Sequence, residues 1–459
     1  MGLVSTVIVD EQKKLSLKEK IAYGMGDVGN NFLFDLGQIY LLKFYTDILG
    51  LPAVSAGLVF LVSKIFDAFA DISIGTYIDA RTNFSVKGKF RPFILYGAIP
   101  LGLLTIVSFT TPGFTVTGRL IFAYLSYMAF GFAYSIVNIP YGSMGAAMTQ
   151  DPVERAELAA WRSGGSNLGL LITTVGFVPL MMNFDDHSIG YLFSSAVFAF
   201  LGVVCLLYCY ANIKEKKIVE KPKDFHGSLS KSFKALLKNT PLMILCLVNV
   251  FTFSAFNVKM AVQVYYCQYV LNDISMVSYM GFFSISCIFL GVLSIPFLVK
   301  RLGKKKTYMF GGVIWVIGEI LNYFVASSPG LFVAFTCVAF WGASFVNSLV
   351  WAFIADAVEF GEWKTGIRSE GIVYSFFTFF RKLSQAIAGF VPGLVLTFIG
   401  YVPNAVQSEK ALAGLKGLMF LYPLCFVLLT LVVMGTMYSL TEERFDMILK
   451  ELKERKINA

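Results

Sequence analysis

Apolar residues along this chain come in runs of roughly twenty or more, parted by short polar stretches, the pattern of helices long enough to cross a bilayer. Twelve runs are predicted, at 21–48, 54–78, 92–112, 119–147, 161–183, 189–212, 241–270, 276–299, 306–327, 330–356, 371–400 and 412–440. One long polar stretch, Lys214 to Asn239, divides them six and six. It holds Pro222, Gly227 and an amphipathic run from Leu229 to Leu237, which predicts a linker with a short surface helix. The basic loop containing Gly88-Lys89 follows the second run and that containing Gly303-Lys304 follows the eighth, an internal echo of two related halves. The expected architecture is therefore all-α and polytopic. It comprises an N-terminal segment 1–20, a six-helix half 21–213, a linker 214–239, a second six-helix half 240–440 and a tail 441–459.

Polar residues inside such runs have to face partners, water or a ligand, because an ionised group facing lipid costs a few kcal/mol. In the second run Lys64, Asp67 and Asp71 fall within about 60° on one helical face. Two carboxylates one turn apart beside an ammonium can hold a small cation or a proton, which makes this stripe the candidate coupling site. A buried ion pair pinning two helices is the alternative reading, but the second carboxylate leaves a surplus negative charge. The first run carries Asp27, Asn31, Asp35 and Gln38 within about 80° on one face. The fourth carries Ser135, Asn138 and Tyr141, the fifth Arg162 and Asn167, and the seventh Lys259, Gln263 and Tyr266. The tenth offers Asn347 and Trp351, and the eleventh Ser375, Thr378, Lys382 and Gln385 with Arg381 alongside. Amides, hydroxyls, aromatic planes and a few charges are the groups that bind sugars. Lys259 and Lys382 need anionic partners, to be sought in Asp35, in Asp67 with Asp71, or in the substrate.

Composition agrees with the pattern: 56% of residues are hydrophobic and only 15% charged, against about a quarter in soluble domains. Most of the 38 Lys and Arg residues fall before the first run, in alternate loops and in the tail, so the net charge of +9 reads as topology with both termini cytoplasmic. It does not point to nucleic acid, since basic and aromatic residues are not interleaved. The seven cysteines lie in apolar runs without a Cys-x-x-Cys pair, and His187 and His226 lie in predicted loops, so neither suggests a metal centre or a cofactor.

Five motifs together resemble the glycoside-pentoside-hexuronide:cation symporters of the major facilitator superfamily. They are Phe44-Tyr45-Thr46-Asp47, Phe66-Asp67-Ala68-Phe69-Ala70-Asp71, Lys87-Gly88-Lys89-Phe90-Arg91-Pro92-Phe93, Asn138-Ile139-Pro140-Tyr141-Gly142 and Asp356-Ala357-Val358-Glu359-Phe360-Gly361-Glu362-Trp363. Gln263 to Asp273 and Phe345-Val346-Asn347-Ser348 are most similar to sulfoquinovose, dihydroxypropanesulfonate and glucuronide carriers. The resemblance implies the major facilitator fold, with substrate held at the midplane between two rocking halves, in a bacterial inner or plasma membrane.

By resemblance to the family's melibiose carriers, Asp67 and Asp71 would hold the coupling ion with help from Lys382. An Asn that accompanies sodium use there is Ala70 here, which implies a proton as the ion, with sodium at Asp67 and Asp71 as the alternative. The carboxylates that bind galactosides in those carriers fall at Asn31 and Asn138, and a tryptophan falls at Gly142. These departures argue for an anionic sugar or glycoside, a uronide or a sulfonated sugar, attracted by Arg162, Lys259 and Arg381. The expected substrate-binding set is Asn31, Asp35, Asn138, Tyr141, Arg162, Lys259, Gln263, Trp351, Thr378 and Arg381. Ion pairs among Asp79, Arg81, Arg91, Glu359, Glu362 and Arg368 are expected to gate the cytoplasmic end. The partners are thus a small sugar, a cation and the bilayer, and the chain is expected to work as a monomer. Export of a sulfonated breakdown product and symport of a neutral glycoside or pentoside are the alternatives. A membrane enzyme would want a metal or catalytic cluster, which the sequence lacks, and a sensor would need a larger cytoplasmic domain.

Overall fold

A computed structural model describes residues 14–80, 88–149, 151–215, 236–366 and 370–457. Six long helices precede the linker: α1 (Leu17–Ile39), α2 (Ala53–Ala80), α3 (Arg91–Ser108), α4 (Val116–Met148), α5 (Pro152–Met181) and α6 (His187–Asn212). Six follow it: α7 (Thr240–Tyr265), α8 (Met276–Leu302), α9 (Lys304–Phe324), α10 (Pro329–Thr365), α11 (Glu370–Phe398) and α12 (Glu409–Thr436). Nine of these are by length and composition apolar enough to cross a membrane among the described residues. The other three, α1, α9 and α11, carry Asp27 and Asp35, Glu319, and Arg381 with Lys382. Their polarity is the polarity of the interior, since lipid-facing positions cannot satisfy such groups.

The packing repeats between the halves. In the first, α1 packs on α5 and α6, α4 on α2 and α3, and α3 on α6; in the second, α7 packs on α11 and α12, α10 on α8 and α9, and α9 on α12. Adding six to each number in the first set yields the second, so the halves are pseudo-symmetric. Across the boundary, α2 meets α11, α5 meets α8, and α1 meets α7. Gly57 sits 2.9 Å, at an added Cβ, from the Phe390 carbonyl oxygen, so α2 and α11 approach at backbone distance, as small residues allow in membrane bundles. Caps repeat too. Glu215, just past α6, accepts from the Lys89, Phe90 and Arg91 amides (2.7–2.9 Å) that open α3, and Glu442, just past α12, accepts from the Lys304 amide that opens α9.

Helices α5 and α10 run further than hydropathy suggests, α10 to Thr365 rather than 356, and the tail adds a helix of its own. Helix α5 begins at Pro152, nine residues before the predicted 161, because Asp151 caps it by accepting from the Val153 and Glu154 amides. The tail folds into α13 (Glu442–Ile457), which buries Ile448 and Leu452; there the Trp363 indole donates to Glu451 at 2.7 Å. The helix expected over Leu229 to Leu237 lies almost wholly outside the described residues.

Candidate functional site

The stripe on α2 lands on the boundary between the halves. Lys64 is buried and donates to Asp67 Oδ2 at 3.2 Å, with its ammonium over the Phe34 and Tyr127 rings. Asp67 Oδ1 is buried without a hydrogen-bond partner among the described residues. One turn on, Asp71 forms an ion pair with Lys382 of α11 and accepts from Ser135 Oγ of α4 at 2.5 Å. Lys382 also donates to the main-chain oxygen of Asp67 at 3.4 Å. The three expected coupling residues are therefore one constellation drawn from both halves. Its charges differ in access: Asp67 is 4% exposed, whereas the Asp71 side chain retains 25%. Asp71 is thus the more accessible of the two carboxylates.

A second pair joins α1 to α5. Arg162 Nε donates to Asp27 Oδ2 at 2.7 Å, and the guanidinium lies 5.0 Å from the Tyr141 ring. Arg162 keeps a third of its side-chain surface exposed. Tyr141, expected to touch substrate, is fully buried and donates to the Tyr23 carbonyl at 2.5 Å, so it supports Arg162 from behind. Asn31 donates to the Asp27 carbonyl (2.8 Å) and accepts from Ser166 (3.1 Å). Asn138 is half-buried on α4, and Asp35 is buried with Oδ2 unpartnered among the described residues.

From the other half, Arg381 stacks on Phe253 (4.4 Å) and lies 5.6 Å from Trp351, within electrostatic reach of Asp27, Arg162 and Tyr134. No carboxylate pairs with it directly among the described residues. Trp351 is 40% exposed and stacks on Tyr374, whose carbonyl takes the hydroxyl of the exposed Thr378 (2.9 Å). Trp351 and Arg381 thus bring aromatic surface and cation together, with Thr378 one turn before Arg381 on α11.

Lys259 corrects the sequence-based expectation. Its partner is neither Asp35 nor the α2 carboxylates but Glu319 of α9, with both carboxylate oxygens at 2.6 Å and the Trp315 indole donating at 3.0 Å. Both residues are sealed inside the second half, at 1% and 0% side-chain exposure. Glu319 was detectable: it is a lone carboxylate in an apolar run, the same signal that singled out Lys259. Gln263 is also fully buried, its amide unpartnered among the described residues. Of the gate residues, Arg91 donates to the Tyr210 carbonyl at 2.9 Å, and Glu359 and Glu362 sit half-buried near the end of α10. Arg81, Arg368 and the Asp79 side chain lie outside the described residues.

This architecture, a pseudo-symmetric bundle with charged and aromatic side chains meeting between its halves, is that of a multi-pass membrane transporter. The chain belongs to the MFS/sugar transport protein family, whose model matches residues 22–442. It is 50% identical to a protein named as a sulfoquinovose importer in Escherichia coli (strain K12), over 96% of this chain and 95% of that one. It is equally 50% identical to one named as a 2,3-dihydroxypropane-1-sulfonate exporter in Salmonella typhimurium (strain LT2), over 96% and 97%. Its fold matches the crystal structure of a D-xylose-proton symporter with a TM-score of 0.66 at 13% identity, over 92% and 97% of the two chains. It is a sugar transporter, not an enzyme.

Proposed function

We propose that this transporter couples a cation, a proton in the first instance, to movement of an anionic sugar, with a sulfonated sugar as the first substrate to test. The observation that carries the coupling is Lys382, which reaches from α11 to Asp71 and to the main chain of Asp67 on α2. A proton or sodium arriving at Asp71 competes with Lys382 for the same carboxylate. It therefore alters a contact between the halves at the point where it binds. Arg381, without a directly bonded carboxylate among the described residues, supplies a guanidinium for a sulfonate or carboxylate, Trp351 a face for the sugar ring, and Thr378 and Asn138 hydrogen bonds. By reciprocity, substrate tightens cation binding as much as the cation tightens substrate binding.

The halves 21–213 and 240–440 would then rock about this site, joined by the linker 214–239. The excess of Lys and Arg in loops at the end bearing the termini supports placing that end in the cytoplasm of a bacterial cell, with Asp79, Arg81, Arg91, Glu359, Glu362 and Arg368 gating it. The chain would work as a monomer, since each half supplies its share of the site. Outward movement of a sulfonated breakdown product is the second reading, favoured by the equal similarity to a protein named as an exporter.

The deciding experiment is uptake of radiolabelled sulfoquinovose and a glucuronide into right-side-out and everted vesicles under imposed proton or sodium gradients, with Asp71→Asn beside the parent. Accumulation in the parent that Asp71→Asn abolishes, while counterflow survives, supports the reading. Equal accumulation in both removes Asp71 from coupling.

A further inference from the structure

At the end of the bundle away from the termini, α1 continues through Leu41–Lys43 into a π-helical turn, Phe44–Ile48, and α7 ends in its counterpart, Tyr266–Val270. The two turns close identically. Leu49 and Leu271 bond back five residues to Phe44 and Tyr266, and Leu51 and Asp273 bond back six residues to Tyr45 and Cys267. Such turns re-aim side chains and recur at functional positions. Here the turn on α1 points Asp47 into the opposite half. Asp47 Oδ2 accepts from Tyr269 Oη and Oδ1 from Tyr401 Oη, both at 2.7 Å, while its carbonyl accepts from Asn404 Nδ2 at 2.6 Å. From its own half it receives Lys43 Nζ at 2.6 Å and Thr46 Oγ1 at 2.7 Å. The Thr46 hydroxyl in turn meets Tyr265 Oη at 2.9 Å, and the Lys43 ammonium lies 4.6 Å from the Tyr265 and Tyr269 rings.

Lys43 and Asp47 are 2% and 9% exposed, and a cavity of about 280 Å³ lined by Lys43, Asp47, Tyr191, Gln268, Asn272 and Asn404 stops against them. At the other end, the ion pairs Lys20–Glu157 and Lys304–Asp356 each stay within one half. We propose that Asp47 is the acceptor of a latch between the halves, and that access to the central site from this side requires its bonds to Tyr269, Tyr401 and Asn404 to break. The inference rests on the alternating-access reading above. A shared acceptor makes such a latch cooperative, because pulling Asp47 away takes the acceptor from Tyr269, Tyr401 and Asn404 at once, while Lys43, on the same stretch of chain, travels with it. Closure is then all-or-none rather than gradual.

The test places a reporter behind the latch. Gln38 is half-buried on α1, nine residues or about 13 Å of helix inward of Asp47. Gln38→Cys is reacted with a membrane-impermeant maleimide from the latch side, with the chain lacking that substitution as background. Asp47→Asn, and separately Tyr269→Phe with Tyr401→Phe, are expected to raise its reactivity from that side about fivefold per net hydrogen bond lost. Reactivity from the opposite side should fall. The tyrosine pair carries the test if Asp47→Asn fails to reach the membrane, since it keeps ring packing and removes only hydroxyls. Parental reactivity in the latch variants, in membranes where the parent accumulates sugar, overturns the latch alone. Absence of sugar accumulation by the parent overturns instead the transport reading on which the latch rests.

Discussion

The carboxylate of Asp67 lies against Gly131 of α4, so closely that a methyl group on Gly131 would overlap it. The Lys64–Asp67–Asp71 stripe on α2 therefore depends on the lack of a side chain on a second helix, α4. Gly131→Ala should displace Asp67 and with it the Lys64 bond, at about 1–3 kcal/mol, the range of an overpacked core. Gradient-driven uptake should fall several-fold while protein level in the membrane holds; a variant that accumulates substrate like the parent would show that Asp67 tolerates the shift.

Ser135 is the neutral donor to Asp71, beside the cationic one, Lys382. Ser135→Ala removes one hydrogen bond to a charged group, worth about 1.5–3 kcal/mol. The cation concentration giving half-maximal transport should change by about tenfold or more, with substrate exchange in the absence of a gradient little affected. An unchanged cation dependence would place the ion elsewhere.

Lys259 and Glu319 form a closed pair, so their loss should register in stability. Lys259→Met leaves a buried carboxylate uncompensated and should cost about 3–5 kcal/mol, whereas Lys259→Met with Glu319→Gln should recover much of it. Thermal melting in detergent reads both. Wild-type melting with lost substrate affinity in Lys259→Met would instead return Lys259 to the substrate site.

Arg381 has aromatic neighbours but no directly bonded carboxylate among the described residues. Arg381→Gln should raise KM for an anionic sugar at least tenfold, from the loss of about 1.5–3 kcal/mol of charge-assisted bonding. The KM of a neutral glycoside, where one is carried, should not rise. Equal losses for both would mean that Arg381 organises the cavity without selecting charge.

Much of the site was legible because charges in apolar runs are expensive. Lys64, Asp67, Asp71, Arg381 and Lys382 stand out for that reason alone, and helical spacing puts the first three on one face. Tyr141 shows where that reasoning stops: its stripe on α4 marks a polar face but does not say which neighbours the face meets, and those are the Tyr23 backbone and Arg162. Asp47 stood only within a family motif and drew no role of its own, because it sits at the end of its run, where a charge costs nothing in sequence terms. Only the π turn and the approach of Tyr269 and Tyr401 bury it.

The linear pattern by itself determined that this is a helical membrane protein of two related halves, because hydrocarbon thickness sets run length and lipid excludes unpaired polar groups whatever the packing. Pairing was decided by tertiary structure. Lys382 lies more than three hundred residues from Asp71, and Lys259 was equally free, on sequence grounds, to seek Asp35, Asp71 or a ligand. Helical periodicity specifies the direction a side chain takes from its own axis. Which helix stands in that direction depends on how twelve apolar surfaces fit together, a property of shape that no single segment contains.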